Sequence, residues 1–206
     1  DIEIKTLPCR VHKLELVAPD VMVISLKLPT NQRLQFLAGQ YIDILLKDGK
    51  RRSFSLANAP HDDEYLELHA RNYPGGVFTE HVFTNMKVKD MLRFTGPLGS
   101  FFLRDTPEEC SIIFLASGTG FAPIKSILEH VFHQEGGRHR KRNMTLYWGA
   151  RTKSDLYLAD LADKWQREHD NFTFIPVLSE PLPSDNWQGR TGLVHQAVMH
   201  DFLSLE

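Results

Sequence analysis

Residues 110–123, CSIIFLASGTGFAP, contain the pattern that decides the fold of the second half of the chain. Their continuous apolar run is typical of a parallel strand that is buried on both faces. Gly118 and Gly120 follow at once and predict a turn in which the main chain passes close to a phosphate group. Pro123 suits the first turn of the next helix, although the dinucleotide motif G-x-G-x-x-G has its third glycine there. Open α/β sheets bind nucleotides at such a strand, turn and helix; a plain tight turn is the alternative.

Strands and helices continue to alternate after this stretch. Helical spacing of apolar residues in FAPIKSILEHVFHQ (121–134) is followed by the strand-like MTLYWGA (144–150). A second helical pattern, SDLYLADLADKWQREH (154–169), precedes the strand-like FTFIPVLSE (172–180). This order predicts a parallel sheet with right-handed crossovers. The chain then ends in a pattern that predicts a helix over 194–206, and the basic run 136–143 is expected to be a solvated loop.

The first half of the chain has a different pattern. Short alternating segments are separated by Pro, Gly, Asp or Asn, which predicts a closed antiparallel barrel or sandwich. These segments are 9–18, 21–29, 40–49, 51–59 and 64–72. Helical spacing appears once, from Val77 to Phe83, directly after two glycines. We therefore expect two domains, over 1–104 and 105–206.

Composition excludes several classes of protein. The chain has 206 residues, of which 42% are hydrophobic, and a net charge of −2, so it has no general attraction for nucleic acid or an anionic membrane. No apolar run approaches the ~20 residues that span a bilayer, and the N-terminus does not resemble a signal peptide. Cys9 and Cys110 are too far apart to suggest a local metal motif, so we expect no metal site. A reduced, cytoplasmic protein is the default expectation.

Two stretches of the first half suggest a ligand. KRRSFSLANAP (50–60) is consistent with an edge strand that has solvated arginines, or with a site where Arg52 binds a phosphate beside a ring and a hydroxyl. Gly75 and Gly76 open a helix whose first turn holds Thr79, which offers backbone donors and a hydroxyl to an anion. An ordinary glycine turn before a helix is the alternative there.

Six motifs together resemble the ferredoxin–NADP reductase family. They are RSFS (52–55), GGVFT (75–79), GPLGSFF (96–102), GTGFAP (118–123), YWGAR (147–151) and VLSE (177–180). Their order and spacing cover nearly the whole chain. Within the family, the likeness is greatest to iron–sulfur flavoprotein oxidoreductases, including the reductases of CDP-6-deoxy-sugar formation.

The resemblance implies an antiparallel β-barrel that binds FAD, over 1–104, followed by an α/β parallel-sheet domain that binds NAD(P), over 105–206. It implies that Arg52 pairs with a flavin phosphate, that Phe54 packs against the flavin, and that Ser55 is the catalytic residue near flavin N5. The other implied flavin-binding residues are Ser53, His69, Arg71, Gly75, Gly76, Val77, Phe78 and Thr79. The resemblance implies that His69 and Arg71 contact the flavin through their main chain; a surface role is the alternative for Arg71. The implied nucleotide-binding residues are Gly118, Thr119, Gly120, Pro123, Gly149, Arg151, Ser179 and Glu180.

The implied function is an NAD(P)H-dependent reductase, in which NADH passes hydride to FAD and the flavin passes single electrons to an iron–sulfur centre or partner protein. Glu180 favours NADH because a carboxylate repels the 2′-phosphate of NADPH. Arg151 and Lys153 argue for NADPH, but we expect Asp155 to neutralise them. A free flavin reductase and a non-enzymatic FAD-holding electron-transfer subunit are the alternatives.

Two departures from the family predict that the chain is a fragment. The family's last strand, with its Cys-Gly-x-Pro segment, has no counterpart here, so we expect the nucleotide domain to be C-terminally truncated. The most similar members also begin with a plant-type two-iron domain that contains C-x4-C-x2-C. Two cysteines cannot hold such a cluster, so we expect it only in a longer chain.

Overall fold

The computed structural model describes residues 1–202, so the last four residues of the predicted C-terminal helix lie outside the described chain. The chain forms two compact units. The first contains Asp1–Arg104 and Ala122–Gln134, and the second contains Asp105–Phe121 and the chain from Glu135 onward. Within residues 1–202, no helix is both long enough and apolar enough to cross a membrane.

The first unit contains a six-stranded antiparallel sheet. The strands are β1 (Lys5–Ala18), β2 (Val21–Lys27), β3 (Tyr41–Leu45), β4 (Arg51–Ser55), β5 (Tyr65–Arg71) and β6 (Met91–Leu98). Their order in the sheet is β4-β3-β6-β1-β2-β5. Helix α1 (Val77–Thr84) follows β5, where helical spacing predicted it, and helix α2 (Phe121–His133) belongs to this unit from Ala122 onward. The predicted antiparallel architecture is confirmed.

The sheet curls until its two edges meet. The Ala57 amide, just after β4, donates to the Glu67 carbonyl of β5 at 2.8 Å. Alternate side chains of the strands are buried inside, among them Ile42, Ile44 and Leu68. Alternation with one face buried is the pattern from which the strands were predicted.

Strand β6 was not predicted, although it lies in the middle of the sheet. Its sequence contains Gly96 and Pro97, which indicate a turn when they are considered alone. In the structure they lie where the register between β3 and β6 shifts, and a Cβ on Gly96 would stand 2.7 Å from a methyl carbon of Ile42. Proline and glycine are tolerated at such a bulge because the hydrogen-bond ladder is interrupted there.

The second unit contains a four-stranded parallel sheet. Its strands are β7 (Ile112–Ser117), β8 (Met144–Ala150), β9 (Phe172–Leu178) and the short β10 (Arg190–Thr191), in the order β10-β9-β8-β7. Helices α3 (Ala159–Glu168) and α4 (Val194–Asp201) follow β8 and β10. The predicted parallel sheet is confirmed, whereas β10 was not predicted. Helix α3 begins later than predicted, because Lys153–Asp155 form a separate 3-10 turn.

The basic run 136–143 is not the wholly solvated loop that we predicted. Arg142 is only 5% exposed, and its Nε donates to the Cys110 carbonyl at 2.6 Å. Its Nη1 also donates to Thr106 Oγ1 at 2.8 Å. A buried guanidinium needs such acceptors, so Arg142 joins the start of β8 to the segment before β7.

Candidate functional site

Strand β4 presents a cation that no described carboxylate neutralises. Arg52 is half-buried and donates from Nη1 to the Arg51 carbonyl at 2.9 Å, and it forms no ion pair with any of residues 1–202. Its neighbour Arg51 instead lies 3.9 Å from the Asp43 carboxylate, which also accepts from Ser53 Oγ at 2.5 Å. The uncompensated charge of Arg52 is therefore available to an anionic ligand.

The start of helix α1 is built as an anion cradle. Gly75 adopts a φ of +81°, a conformation that favours glycine. Gly76 is the N-cap residue of the helix, and it has no side chain that could accept from the first turn. A Cβ on Gly76 would stand 2.5 Å from Thr79 Oγ1, so a larger residue does not fit. The first backbone N–H groups of a helix have no partners within the helix and attract negative charge. This turn therefore suits a phosphate group.

Ring contacts join strand β4 to helix α1. The rings of Phe54 and Phe78 lie 5.6 Å apart and tilted by 56°. Beside them Val77 and Tyr73 are 73% and 59% exposed, which leaves apolar surface next to the cradle. A fixed cation, a helix N-terminus and exposed apolar side chains within one unit are the parts that a ring system carrying a pyrophosphate requires. These residues fit FAD.

The structure gives internal partners to the side chains of His69 and Arg71. The His69 imidazole is fully buried, and its Nε2 lies 2.8 Å from Glu67 Oε2. Burial lowers the pKa of His69. Arg71 Nε donates to Asp20 Oδ2 at 3.0 Å. Any contact of His69 with a flavin is thus left to its main chain, as the resemblance implies, whereas the Arg71 side chain remains partly exposed.

In the second unit, the predicted glycine turn follows β7. Residues Gly118–Gly120 form a 3-10 turn in which Gly118 has a φ of +55°, with Thr119 half-buried between the glycines. A Cβ on Gly120 would meet nothing within 4 Å, so the space beside the turn is open. Pro123 lies in the first turn of α2 as predicted. An open glycine turn between a parallel strand and a helix fits a nucleotide phosphate.

The ends of β8 and β9 lie next to this turn at the C-terminal edge of the sheet. Ser117 pairs with Gly149, and Gly149 pairs with Val177. The amides of Ser179 and Glu180 donate to the carbonyls of Ala150 and Arg151, both at 2.9 Å. The sheet thus brings together the predicted nucleotide-binding residues of this unit.

Gly149 also has a packing role that the sequence did not indicate. A Cβ there would stand 2.6 Å from the Cβ of Val194, in helix α4. The glycine therefore permits a close approach of helix and strand.

Asp155 does not neutralise the nearby cations, contrary to our expectation. Its carboxylate caps the turn before α3 by accepting from Thr152 Oγ1 at 3.0 Å and from the Thr152 amide at 3.3 Å. Arg151 and Lys153 are exposed and form no ion pair with any described residue. Two free cations therefore stand near Glu180.

Sequence reasoning missed residues that support the Gly118–Gly120 turn and the chain after β4. Trp148 Nε1 donates to the Gly118 carbonyl at 3.0 Å, and its ring stacks on Phe121 at 4.0 Å. The position of Trp148 beside Gly149 in the motif YWGAR was the available signal. In the first unit, Glu67 and Lys125 hold the chain after β4, and no local pattern marked them.

A cleft of about 410 Å³ opens beyond β8 in the second unit. The residues that line it are Lys153, Ser154, Leu156, Tyr157, Ala159, Asp160 and Asp185. Asp185 also accepts a hydrogen bond from the Lys153 amide at 3.2 Å, which links the two loops around the cleft.

Comparison with known proteins agrees with this division of the chain. Residues 8–103 match the oxidoreductase FAD-binding domain, and residues 114–206 match the oxidoreductase NAD-binding domain. The chain belongs to the FAD- and NAD-binding oxidoreductases of the ferredoxin reductase type. The family resemblance, the two domain types and the FAD and NAD binding expected from the sequence are confirmed.

Relatives of this ferredoxin reductase-type chain are similar along nearly all of it. It is 41% identical over 99% of its length to the CDP-6-deoxy-L-threo-D-glycero-4-hexulose-3-dehydrase reductase of Yersinia pseudotuberculosis. It is 43% identical over 98% of its length to the protein RfbI of Salmonella typhimurium. The chain spans 59% and 58% of the length of these two relatives.

A solved structure shares both fold and sequence with the chain. The crystal structure of the Amycolatopsis cytochrome P450 reductase GcoB superposes with a TM-score of 0.86 at 33% identity. The match covers 98% of this chain and 59% of that one.

Proposed function

We propose that the chain is the FAD- and nucleotide-binding part of a longer NADH-dependent flavoprotein reductase, which passes hydride from NADH to FAD. FAD, when bound, supplies the change from two-electron to one-electron transfer, so single electrons go on to an iron–sulfur centre or partner protein. One observation carries the proposal: the first unit contains both the free cation of Arg52, on β4, and the anion cradle of α1, and the Phe54 and Phe78 rings join this strand to this helix. Relatives named as reductases, including a terephthalate 1,2-dioxygenase reductase component from Comamonas, support it.

The residues of 1–104 have separate roles in this proposal. Arg52 and the backbone of Gly75–Thr79 bind the pyrophosphate, and Phe54 packs against the ring system. Ser55, at the end of β4, is the catalytic residue, whose hydroxyl makes a hydrogen bond at flavin N5 and orients the ring for reduction. Ser53 holds the strand through Asp43. His69 and Arg71 contribute main-chain contacts.

The residues of 105–206 hold the nucleotide. Gly118, Thr119, Gly120 and Pro123 bind its phosphates at the start of α2, and Gly149 keeps the edge of the sheet compact. Ser179 and Glu180 accept hydrogen bonds from the free ribose hydroxyls of NADH. The amide of Glu180 is bonded to the Arg151 carbonyl, which holds Glu180 at this edge, and we expect it to outweigh the longer exposed side chains of Arg151 and Lys153. We place the protein in the cytoplasm.

An anaerobic titration of the full-length protein with NADH tests the function. We expect stoichiometric loss of the visible absorbance of bound FAD. FAD that stays bound but does not react would favour an FAD-holding electron-transfer subunit instead. Loss of FAD on purification, together with reduction of added flavin, would favour a free flavin reductase.

Ser55→Ala in the full-length protein tests the catalytic assignment. We expect flavin reduction, followed by stopped flow, to slow by at least about tenfold with nearly unchanged FAD content. Ser25→Ala, on strand β2, is the control and should react like the parent. Equal reduction rates in Ser55→Ala and the parent would contradict the assignment.

A further inference from the structure

A cluster of ionisable side chains, two of them buried and two half-buried, joins helix α2 to strand β5 within the first unit. Lys125 Nζ lies 3.1 Å from Glu67 Oε2 and 3.1 Å from Glu129 Oε1. His69 adds its hydrogen bond to Glu67. Lys125 is only 8% exposed and His69 only 5%. We call these four residues the Lys125 cluster.

The cluster is attached to the main chain that continues strand β4. Lys125 Nζ donates to the Ala57 carbonyl at 3.3 Å, and Ser126 Oγ donates to the Asn58 carbonyl at 2.7 Å. On the other side, the Ala57 amide donates to the Glu67 carbonyl of β5, and the Glu67 amide donates to Asn58 Oδ1 at 3.0 Å. Residues 57 and 58 are thereby held by both a helix and a strand, directly beyond Ser55.

Lys125 and Glu67 support each other's charge, whereas burial, together with the charge of Glu67, raises the pKa of Glu129. Burial opposes the charge of Lys125, but Glu67 and Glu129 raise its pKa above the ordinary value. Burial also opposes the charge of Glu67 and would by itself raise its pKa. The hydrogen bond from His69 and the charge of Lys125 instead hold the pKa of Glu67 at about 2. The lysine is therefore charged and its carboxylate partner ionised at neutral pH. Removing one partner of such a pair leaves the other charge uncompensated, so the pair can hold the chain segment that it contacts.

We infer that Lys125 is a positioning residue for the flavin: through Ala57 it fixes the chain at the end of β4, where Ser55 meets the ring system. The inference rests on the proposed function, because it requires FAD at strand β4. The geometry makes the charged contact specific. An apolar side chain of similar length at position 125 fills the same space but leaves the Ala57 carbonyl and Glu67 without their cation.

Lys125→Met in the chain of 206 residues is the primary test. We expect the amides of residues 56–58 to exchange with deuterium about tenfold faster, measured by mass spectrometry without FAD. FAD binding should weaken by about tenfold, and the visible spectrum of bound FAD should change at saturating FAD. Lys164→Met is the matched control: it removes an exposed lysine with a similar i,i+4 pairing to Glu168, and should leave all three measurements unchanged.

Lys125→Arg restores the positive charge and separates charge from packing. We expect it to bring FAD affinity back to within about threefold of the parent. If Lys125→Met does not fold, Glu67→Gln, which keeps the shape of the side chain, replaces it and should show the same faster exchange and altered spectrum.

Two results would overturn the inference alone. In the first, the parent binds FAD, and the Lys125→Met protein folds and equals the parent in deuterium exchange, FAD affinity and visible spectrum. The other is an arginine variant as weak in FAD binding as the methionine variant. A parent chain that does not bind FAD at all would instead overturn the proposed function, and the inference with it.

Discussion

The two candidate phosphate-binding turns use the same residue type in different surroundings. At the start of α1, Gly76 is crowded by Thr79 Oγ1, whereas at the end of β7 the space beside Gly120 is open. The strand that faces the first turn ends at the Lys125 cluster, while an aromatic ring and a neutral hydrogen bond from Trp148 hold the second. Glycine permits the turn in both places, but different neighbouring side chains hold the chain around each one. Four changes test this difference.

The largest expected effect is a loss of stability of the first unit in acid. The folded-state pKa of Glu67 is about 2, below its ordinary value of 4.5, so its ionised form stabilises the fold above pH 4.5. That contribution is lost as the pH falls from 4.5 towards 2, and amounts to about 3 kcal/mol if it is fully realised. We expect denaturant unfolding to show this pH dependence and Glu67→Gln to reduce it. Glu15→Gln, which removes an exposed pair with Lys13, should leave the dependence in place.

The second-largest expected effect is weaker FAD binding when the free cation of Arg52 is removed. Arg52→Ala loses a charge-assisted contact to phosphate, about 1.5–3 kcal/mol, and should weaken FAD binding by about tenfold to a hundredfold. Equilibrium titration with FAD measures the change. Arg51→Ala is the control, because Arg51 already faces Asp43. Retention of FAD by Arg52→Ala at parent affinity would show that the turn of α1 binds without the cation.

Nucleotide preference tests the edge of the parallel sheet. We expect the full-length protein to favour NADH over NADPH by roughly five- to a hundredfold in kcat/KM, because Glu180 repels a 2′-phosphate. Glu180→Gln should reduce this preference, whereas Glu168→Gln, on the exposed face of α3, should not. Equal use of both nucleotides by the parent would show that the free cations Arg151 and Lys153 outweigh Glu180.

Loss of one neutral hydrogen bond should have the smallest effect. Trp148→Phe removes the bond to the Gly118 carbonyl but keeps a ring to stack on Phe121. We expect the KM for NADH of the full-length protein to rise by about two- to tenfold. Trp187→Phe loses an equivalent bond to the Arg190 carbonyl, beside β10, and should leave the KM unchanged. A change of similar size in both variants would indicate a general loss of stability.

Local patterns in the sequence were sufficient for most of the fold. The glycine turn at Gly118–Gly120 and the helix after Gly76 were predicted because backbone conformation and periodicity are properties of neighbouring residues. Strand β6 was missed because Gly96 and Pro97 indicate a turn locally, while their bulge exists only in register with β3. Helix α3 was predicted too long because Asp155 caps a separate 3-10 turn, Lys153–Asp155, before the helix begins at Ala159.

The sequence by itself determined the order of most elements, the two glycine turns and the kinds of side chain near them, because each of these depends on a few consecutive residues. The tertiary structure alone decided which polar groups became partners. Lys125 meets Ala57 and Glu67, and Arg142 meets Thr106, across gaps in the sequence that no periodicity spans. The reason is physical: burial makes an unpaired charge costly, and only the packed chain determines which acceptor is within reach.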